Sequence, residues 1–257
     1  MLAAIIWGLV QGLTEFLPIS SSGHLVVVPE ALERLGMDIE PPSLAVSAIL
    51  HLGTLVAVLV YFRDDVVKVM RMHREPEGRK LAILVGIGTI PALIGWPLEE
   101  RLERLQDDVT NVGVALLVTG VILVIGQALA RGTRLLLDGR VPDAVVVGIA
   151  QAVALIPGIS RSGITIAAGN SRRFRPTEAA RFSFLLGIPA IAGAGLISLP
   201  DVLEAGGVTV ELLVGLVVAA VSGYVAIAIV LAALRRIGLL PFAVYCFLVG
   251  GLTVFFL

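Results

Sequence analysis

Six stretches of this chain are long enough to cross a bilayer as a helix and contain no acidic or basic residue: 44–62, 81–98, 111–130, 182–200, 212–234 and 237–257. About 20 apolar residues of helix span a hydrocarbon core of about 30 Å. Inside that core no water is present to satisfy N–H and C=O groups, so a single apolar run crosses it as a helix. The expected fold class is therefore all-α, a polytopic membrane protein. Composition agrees, since 15% of residues are charged against about 25% in soluble domains. The 28 glycines suit close helix contact in lipid. No basic tract able to hold a duplex stands out, so no nucleic-acid partner is expected. The lone Cys246 excludes an intrachain disulfide and reads as a packing residue. The first residues lack a basic n-region and a small-residue cleavage site, so they are expected to stay in the mature chain.

Two further apolar regions are broken. Region 1–29 is interrupted by Gln11, Glu15, Pro18, three serines, Gly23 and His24; region 144–171 by Gln151, Pro157, Gly158, Ser160, Arg161, Ser162 and Gly163. Loops 63–80, 131–143, 170–181 and 235–236 are rich in Lys and Arg. The others are acidic, carrying Glu30, Glu33, Asp38 and Glu40, then Glu99, Glu100, Glu103, Asp107 and Asp108, then Asp201, Glu204 and Glu211. Basic loops favour the cytoplasmic side. Loops 131–143 and 170–181 then share a side with one apolar region between them, so 144–169 must enter and leave by the same face, as a re-entrant helical hairpin. By the same logic 1–29 is a hairpin entering from outside. The expectation is a single membrane domain, 1–257, with six transmembrane helices and two hairpins in an inverted-topology repeat. Repeat one covers about 1–130 and repeat two about 143–257, with both termini outside. A shift of 140 residues lays Gln11 on Gln151 and Ser20-Ser21-Ser22-Gly23 on Ser160-Arg161-Ser162-Gly163. A second echo, Ile90-Pro91-Ala92 with Ile188-Pro189-Ala190, appears at a shift of 98.

Of the 39 acidic and basic residues, only Glu15 and Arg161 are placed at membrane depth, one in each hairpin. Ionisable groups there cost a few kcal/mol each and face a partner or a wet cavity. Hairpins inserted from opposite faces bring their tips together, so Glu15 and Arg161 are expected to share one polar cavity. A purely structural ion pair and an ion path are the competing readings. The hydroxyls around the pair favour an anion. Serine- and glycine-rich turns that open helices offer free N–H groups and a positive dipole end, and a guanidinium holds a phosphate through two bonds. Ser20, Ser22, Gly23, Ser160, Ser162, Gly163 and Thr165 are the candidate phosphate-binding residues, with Thr165 equally readable as an ordinary helix threonine. Gln11 and Glu15 share a helix face, where the acid suits a divalent cation or a general base. Ser21 and His24, three apart, could touch as a nucleophile and base. His51 could line the cavity but reads first as a packed, hydrogen-bonded residue, and Arg172, Arg173 and Arg175 read as groups that fix topology and touch anionic lipid heads.

At Gln11–His24, at Pro157-Gly158-Ile159-Ser160-Arg161-Ser162-Gly163 and at Glu178-Ala179-Ala180-Arg181-Phe182-Ser183-Phe184-Leu185-Leu186, the chain resembles the bacitracin-resistance family of membrane undecaprenyl-diphosphate phosphatases. The resemblance runs along nearly the whole chain. It implies a plasma-membrane hydrolase that removes the terminal phosphate of a polyprenyl diphosphate lipid, recycling the carrier used in cell wall (peptidoglycan) synthesis. It implies catalytic roles for Glu15, Ser21, His24 and Arg161, dependence on a divalent cation, Mg or Ca, and a cavity open to the outer face. A homodimer stays open. Gln11 stands where the family commonly has glutamate, which bears on a metal site of two carboxylates. Attack by Ser21 and attack by water activated by Glu15 or a metal both remain open. So does a different class, a transporter that flips polyprenyl phosphate through the same cavity.

Overall fold

The computed structural model describes residues 1–37, 39–98, 101–102, 104–197, 200, 202 and 207–257. The acidic positions Asp38, Glu99, Glu100, Glu103, Asp201 and Glu204 lie outside the described residues. Among those described, the chain is all-helical: α1 (Leu2–Phe16), α2 (Ser21–Arg34), α3 (Leu44–Tyr61), α4 (Arg63–Met70), α5 (Pro76–Gly95), α6 (Val109–Ala128), α7 (Val141–Val153), α8 (Arg161–Ser171), α9 (Pro176–Ile197), α10 (Val210–Arg236) and α11 (Leu240–Phe256). Five helices, α3, α5, α6, α9 and α10, are long and apolar enough to cross a membrane. The sixth expected span, 237–257, starts late because Gly238 turns with φ of 76° and Pro241 opens the helix, leaving α11 with 17 residues.

The two broken regions each fold as a pair of short helices, α1 with α2 and α7 with α8. Helix α2 outruns the expected end of the first hairpin at Pro29. Proline removes one hydrogen bond, but Leu25, Val28 and Leu32 still pack with Val10 around the Trp7 core, and the helix continues to Arg34. The first helix of each pair docks on a long helix of the other half of the chain, α1 on α10 and α7 on α5. Small residues make both contacts possible. A Cβ on Gly8 would lie 2.7 Å from the Gly215 carbonyl oxygen, and one on Gly12 would lie 2.5 Å from that of Ala219. On the other side Gly148 faces Gly88 in the same way. Helices α3 and α9 pack together at the centre, where Phe16 meets Phe184 edge-on at 5.5 Å.

The basic loops gather at one end. Arg181 forks onto Asp65, with Nε 2.8 Å from Oδ2 and Nη2 2.5 Å from Oδ1, joining α9 to α4. Buried Asp143 accepts from Arg134 at 2.7 Å and Arg172 at 2.8 Å. Arg134 and Phe174 form a single parallel bridge, tying segment 131–143 to 170–181. Three segments that are far apart along the chain are thereby held at one level of the bundle.

Gly12→Val should therefore lower stability in detergent by about 1–3 kcal/mol through overpacking against α10. Gly86→Ala, where a Cβ would meet nothing within 4 Å, should leave the thermal unfolding midpoint unchanged or slightly raised. A scan of unfolding against temperature for both variants checks the pair.

Candidate active site

The second helix of each pair opens on a serine cap. Ser20 Oγ accepts from Gly23 N at 3.2 Å, and Ser160 Oγ accepts from Gly163 N at 3.1 Å, the N-cap bond that short hydroxyl side chains favour. In each tip the cap also meets the serine two residues on, Ser20 with Ser22 and Ser160 with Ser162, both at 3.2 Å. The tips interlock. Gly158 N donates to Ser22 Oγ at 3.3 Å, and Ser162 Oγ donates to the Leu17 carbonyl at 3.2 Å. Thr119 of α6 clamps the second turn, accepting from Ser160 N at 3.1 Å and donating to Gly158 O at 3.0 Å. The N-termini of α2 and α8 thus converge, and each presents first-turn N–H groups that the helix itself cannot satisfy.

Between the tips lies the ion pair. Arg161 Nη2 is 2.6 Å from Glu15 Oε1. The other carboxylate oxygen, Oε2, accepts from the Ser21 hydroxyl at 2.8 Å and from Gln11 Nε2 at 3.1 Å. His51 Nε2 stands 3.9 Å from that same oxygen. Arg161 Nη1 donates to the Ser183 carbonyl of α9 at 3.2 Å. The guanidinium reaches this position across Gly187, where any Cβ would overlap Nη1. Gly187 is a positioning residue that the sequence reading did not single out, because its role appears only once Arg161 is known to cross α9 there.

A cavity of about 840 Å³ opens from this floor. Glu15, Ser20, Ser21, Ser22, Ser160 and Arg161 line its polar side together with Thr14, Ser47 and His51; Leu44, Trp96, Pro97, Leu155 and Ala194 are among its apolar residues. Leu44 starts α3, Trp96 follows α5 and Ala194 belongs to the last turn of α9, so the cavity extends toward the end of the bundle that carries the acidic loops.

His24, Gly23, Ser162, Gly163 and Thr165 are not part of the cavity lining. His24 is buried, with Nδ1 2.7 Å from the Ser20 carbonyl and Nε2 2.8 Å from the Tyr245 hydroxyl. A carbonyl only accepts, so Nδ1 carries the proton and Nε2 accepts from Tyr245. Ser21 accordingly pairs with Glu15 and not with His24. Thr165 donates to the Arg161 carbonyl at 2.6 Å and meets Ser183 Oγ at 2.7 Å, under the guanidinium's helix turn. Ser162 is spent on Leu17, and the Gly23 and Gly163 N–H groups on their caps. His51 meets both of its readings: Nδ1 bonds the Ser47 carbonyl at 2.8 Å, and the ring lines the cavity beside Glu15. A histidine within an otherwise apolar span was the available signal.

The donors for a divalent cation are few. Glu15 is the carboxylate on the cavity wall, and among the described residues no group of three His, Cys, Asp or Glu side chains gathers to hold a metal. The Gln11 amide nitrogen faces Glu15, while its oxygen is buried without a partner. Magnesium commonly binds through one or two carboxylates plus substrate phosphates. This donor set fits a hard cation of that kind, completed by the oxygens of a bound phosphate.

The chain matches the family described as Bacitracin resistance protein BacA over residues 4–252. An undecaprenyl-diphosphatase of Halothermothrix orenii is 43% identical over 254 residues, covering 97% of this chain and 95% of that protein. Proteins of the same name from Methanosphaera stadtmanae and Alcanivorax borkumensis are 38% and 39% identical, each covering 99% of this chain and 97% and 98% of their own lengths.

Charge-assisted hydrogen bonds contribute about 1.5–3 kcal/mol. Arg161→Ala should therefore weaken pyrophosphate binding by about tenfold or more, and Gly187→Ala should act in the same direction by displacing the guanidinium. Calorimetric titration of the detergent-solubilised protein measures both, and unchanged affinity in Arg161→Ala would remove the anion from this site.

Proposed function

The chain belongs to the bacitracin resistance protein BacA family, and from that membership and the geometry of its cavity we infer that it is a membrane enzyme hydrolysing undecaprenyl diphosphate to the monophosphate and inorganic phosphate. The observation that carries the chemical reading is the split use of Glu15, one oxygen on Arg161 and the other on the Ser21 hydroxyl.

The diphosphate enters with its terminal phosphoryl group over the tips of α2 and α8. Arg161 and the first-turn N–H groups hold it and offset the charge that develops in the transition state. Ser21 Oγ attacks the terminal phosphorus as Glu15 takes its proton. The bond to the bridging oxygen breaks and the polyprenyl monophosphate departs. Water then attacks the phosphoserine, and Glu15 and Ser21 return to their starting protonation as inorganic phosphate leaves. Glu15 is suited to the base role because its hydrogen bond to Ser21 already lies along the path of the proton. Ser20 and Ser22 share one hydrogen bond, so one of their two hydroxyl protons stays free to donate at the cavity floor, while Ser160 spends its proton on Ser162. His51 faces the same floor, while His24 supports it from behind by fixing the Ser20 carbonyl. A divalent cation, Mg or Ca, would be held by Glu15 and the substrate's own phosphate oxygens, and would neutralise phosphoryl charge. Gln11 joins that site only with its amide turned over, because its oxygen now faces away from Glu15.

We further propose six spanning helices and two re-entrant hairpins in two inverted repeats, about 1–130 and 143–257. Length supports this reading. Helices α1, α2, α7 and α8 have 15, 14, 13 and 11 residues. At 1.5 Å per residue, even 15 reach only about 22 Å of a core of about 30 Å. With the basic end in the cytoplasm of a plasma-membrane protein, both termini lie outside and the cavity opens to the outer half of the bilayer.

In a phosphate-release assay on undecaprenyl diphosphate, Arg161→Ala and Glu15→Gln should each lower kcat by about a hundredfold or more. Under single-turnover conditions with substrate labelled at the terminal phosphate, acid quenching should trap label on the peptide containing Ser21. Full turnover by Ser21→Ala, with no trapped label, would replace the serine with water as the attacking group. Phosphate release equal to wild type in Arg161→Ala would defeat the whole assignment.

A further inference from the structure

The two Ile-Pro-Ala segments, 90–92 and 188–190, fall on α5 and α9, which pack against each other. At one level the two helices touch: a Cβ on Gly88 would lie 3.0 Å from Leu186 Cδ1. Three residues further on, each helix carries its proline, Pro91 and Pro189. Neither proline can donate to the carbonyl four residues back, and its ring crowds that carbonyl, which is the usual origin of a bend.

Beyond the prolines the helices part. Residues seven apart return to nearly the same helix face, so Gly95 lies above Gly88 and Gly193 above Leu186. Gly95 now leans on the turn after α7, where its Cβ would lie 2.9 Å from Leu155 Cδ1. The end of α9 leans the opposite way, with a Gly195 Cβ 2.6 Å from Leu52 of α3. Gly193, on the face that met α5 two turns earlier, would find nothing within 4 Å among the described residues. The gap is apolar and reaches lipid: Leu93, Ile94 and Leu196 are exposed. It also reaches the candidate site, because Trp96 and Ala194 line the cavity, and Trp96 is at the same time 47% exposed.

We propose that this slot between the ends of α5 and α9 holds the isoprenoid chain of the substrate, with Trp96 at the junction of cavity and bilayer. The inference rests on the diphosphatase reading and deepens it. A diphosphate fixed at Glu15 and Arg161 leaves a polyprenyl chain far longer than the cavity, and that chain must leave through an apolar opening at cavity level. The slot is continuous with the phosphate floor and ends among lipid-facing side chains.

Gly193→Phe tests it, since a Cβ there meets nothing within 4 Å among the described residues. On the full-length protein in detergent, kcat/KM for undecaprenyl diphosphate should fall by about tenfold or more, within the range that one lost apolar contact can produce. For dimethylallyl diphosphate, whose tail ends before the slot, it should stay within about twofold. No change on either substrate, or an equal fall on both, overturns the proposal. A photoreactive diazirine in the second isoprene unit of an undecaprenyl diphosphate analogue, bound to the wild-type protein, should label peptides within 90–97 or 189–197; label on α10 or α11 instead also overturns it. If the wild type releases phosphate from neither substrate, the diphosphatase reading fails on its own, whatever the photolabel shows.

Discussion

A carboxylate and a guanidinium brought together between two interlocked hairpin tips govern the rest of this molecule. Taking two charges out of water costs several kcal/mol per ion, and their mutual attraction offsets that only when further hydrogen bonds satisfy what remains. Here Glu15 has Ser21 and Gln11 besides Arg161, and Arg161 has the Ser183 carbonyl besides Glu15. The pair also faces a cavity and not packed hydrocarbon. Guanidinium donors not engaged by Glu15 or Ser183, together with the first-turn N–H groups of α2 and α8, give the floor a surplus of donors over acceptors. An anion with several oxygens is the ligand that such a floor completes, and a diphosphate is an anion of that kind.

The two halves of the chain contribute the same scaffold and opposite chemistry. At the shift of 140, Ser20 and Ser160, Ser22 and Ser162, and Gly23 and Gly163 coincide in role as well as in type: cap, cap partner and capped N–H. The chemistry enters at the positions that differ. Ser21 falls on Arg161, and Glu15 falls on Leu155. The first half therefore supplies the hydroxyl and its proton acceptor. The second supplies the cation, and an apolar wall where the acid would be. Two identical halves would have placed two acids or two guanidinium groups in one cavity, a like-charge arrangement that a low-dielectric site does not hold.

What could be read from the sequence divides along physical lines. Five long helices were legible because each contains an unbroken apolar run, and Glu15 with Arg161 because charges within apolar stretches are rare enough to count. The choice between histidines was not. His24 sits three residues from Ser21, and spacing says that they share a neighbourhood. It does not say that the Ser20 carbonyl and Tyr245, 221 residues away, would hold the ring on the far side. For His51 an apolar span fits packing and cavity lining alike, and only the fold shows that one helix face of that span borders the cavity. Gly187 carried no local signal at all. Its meaning is the absence of a side chain where another helix's arginine passes, and only the assembled fold supplies that arginine. The first hairpin was expected to end at Pro29, whereas packing of α2 against α1 outweighs the one lost bond and carries the helix to Arg34.

The backbone of the two tips differs at one step, and residue chemistry explains where. Each turn has to reverse the chain in a few residues, and each uses one residue in the left-handed region, at positive φ. In the second tip that residue is Gly158, at φ of 87°, which glycine adopts freely. The matching position in the first tip is Pro18, whose ring holds φ near −65°. The left-handed step falls instead on Ser20, at φ of 73°, while its counterpart Ser160 remains at −69°. A non-glycine residue in such a conformation costs about 1–3 kcal/mol. Pro18 also lacks the N–H that Gly158 donates to Ser22, so the reciprocal bond is made differently, by Ser162 to the Leu17 carbonyl. The strain thus sits one residue before Ser21, in the half that carries the hydroxyl and the acid. It is held there by the Gly23 cap, the His24 ring on the Ser20 carbonyl and the opposite tip, beside a Ser21 hydroxyl that points to Glu15.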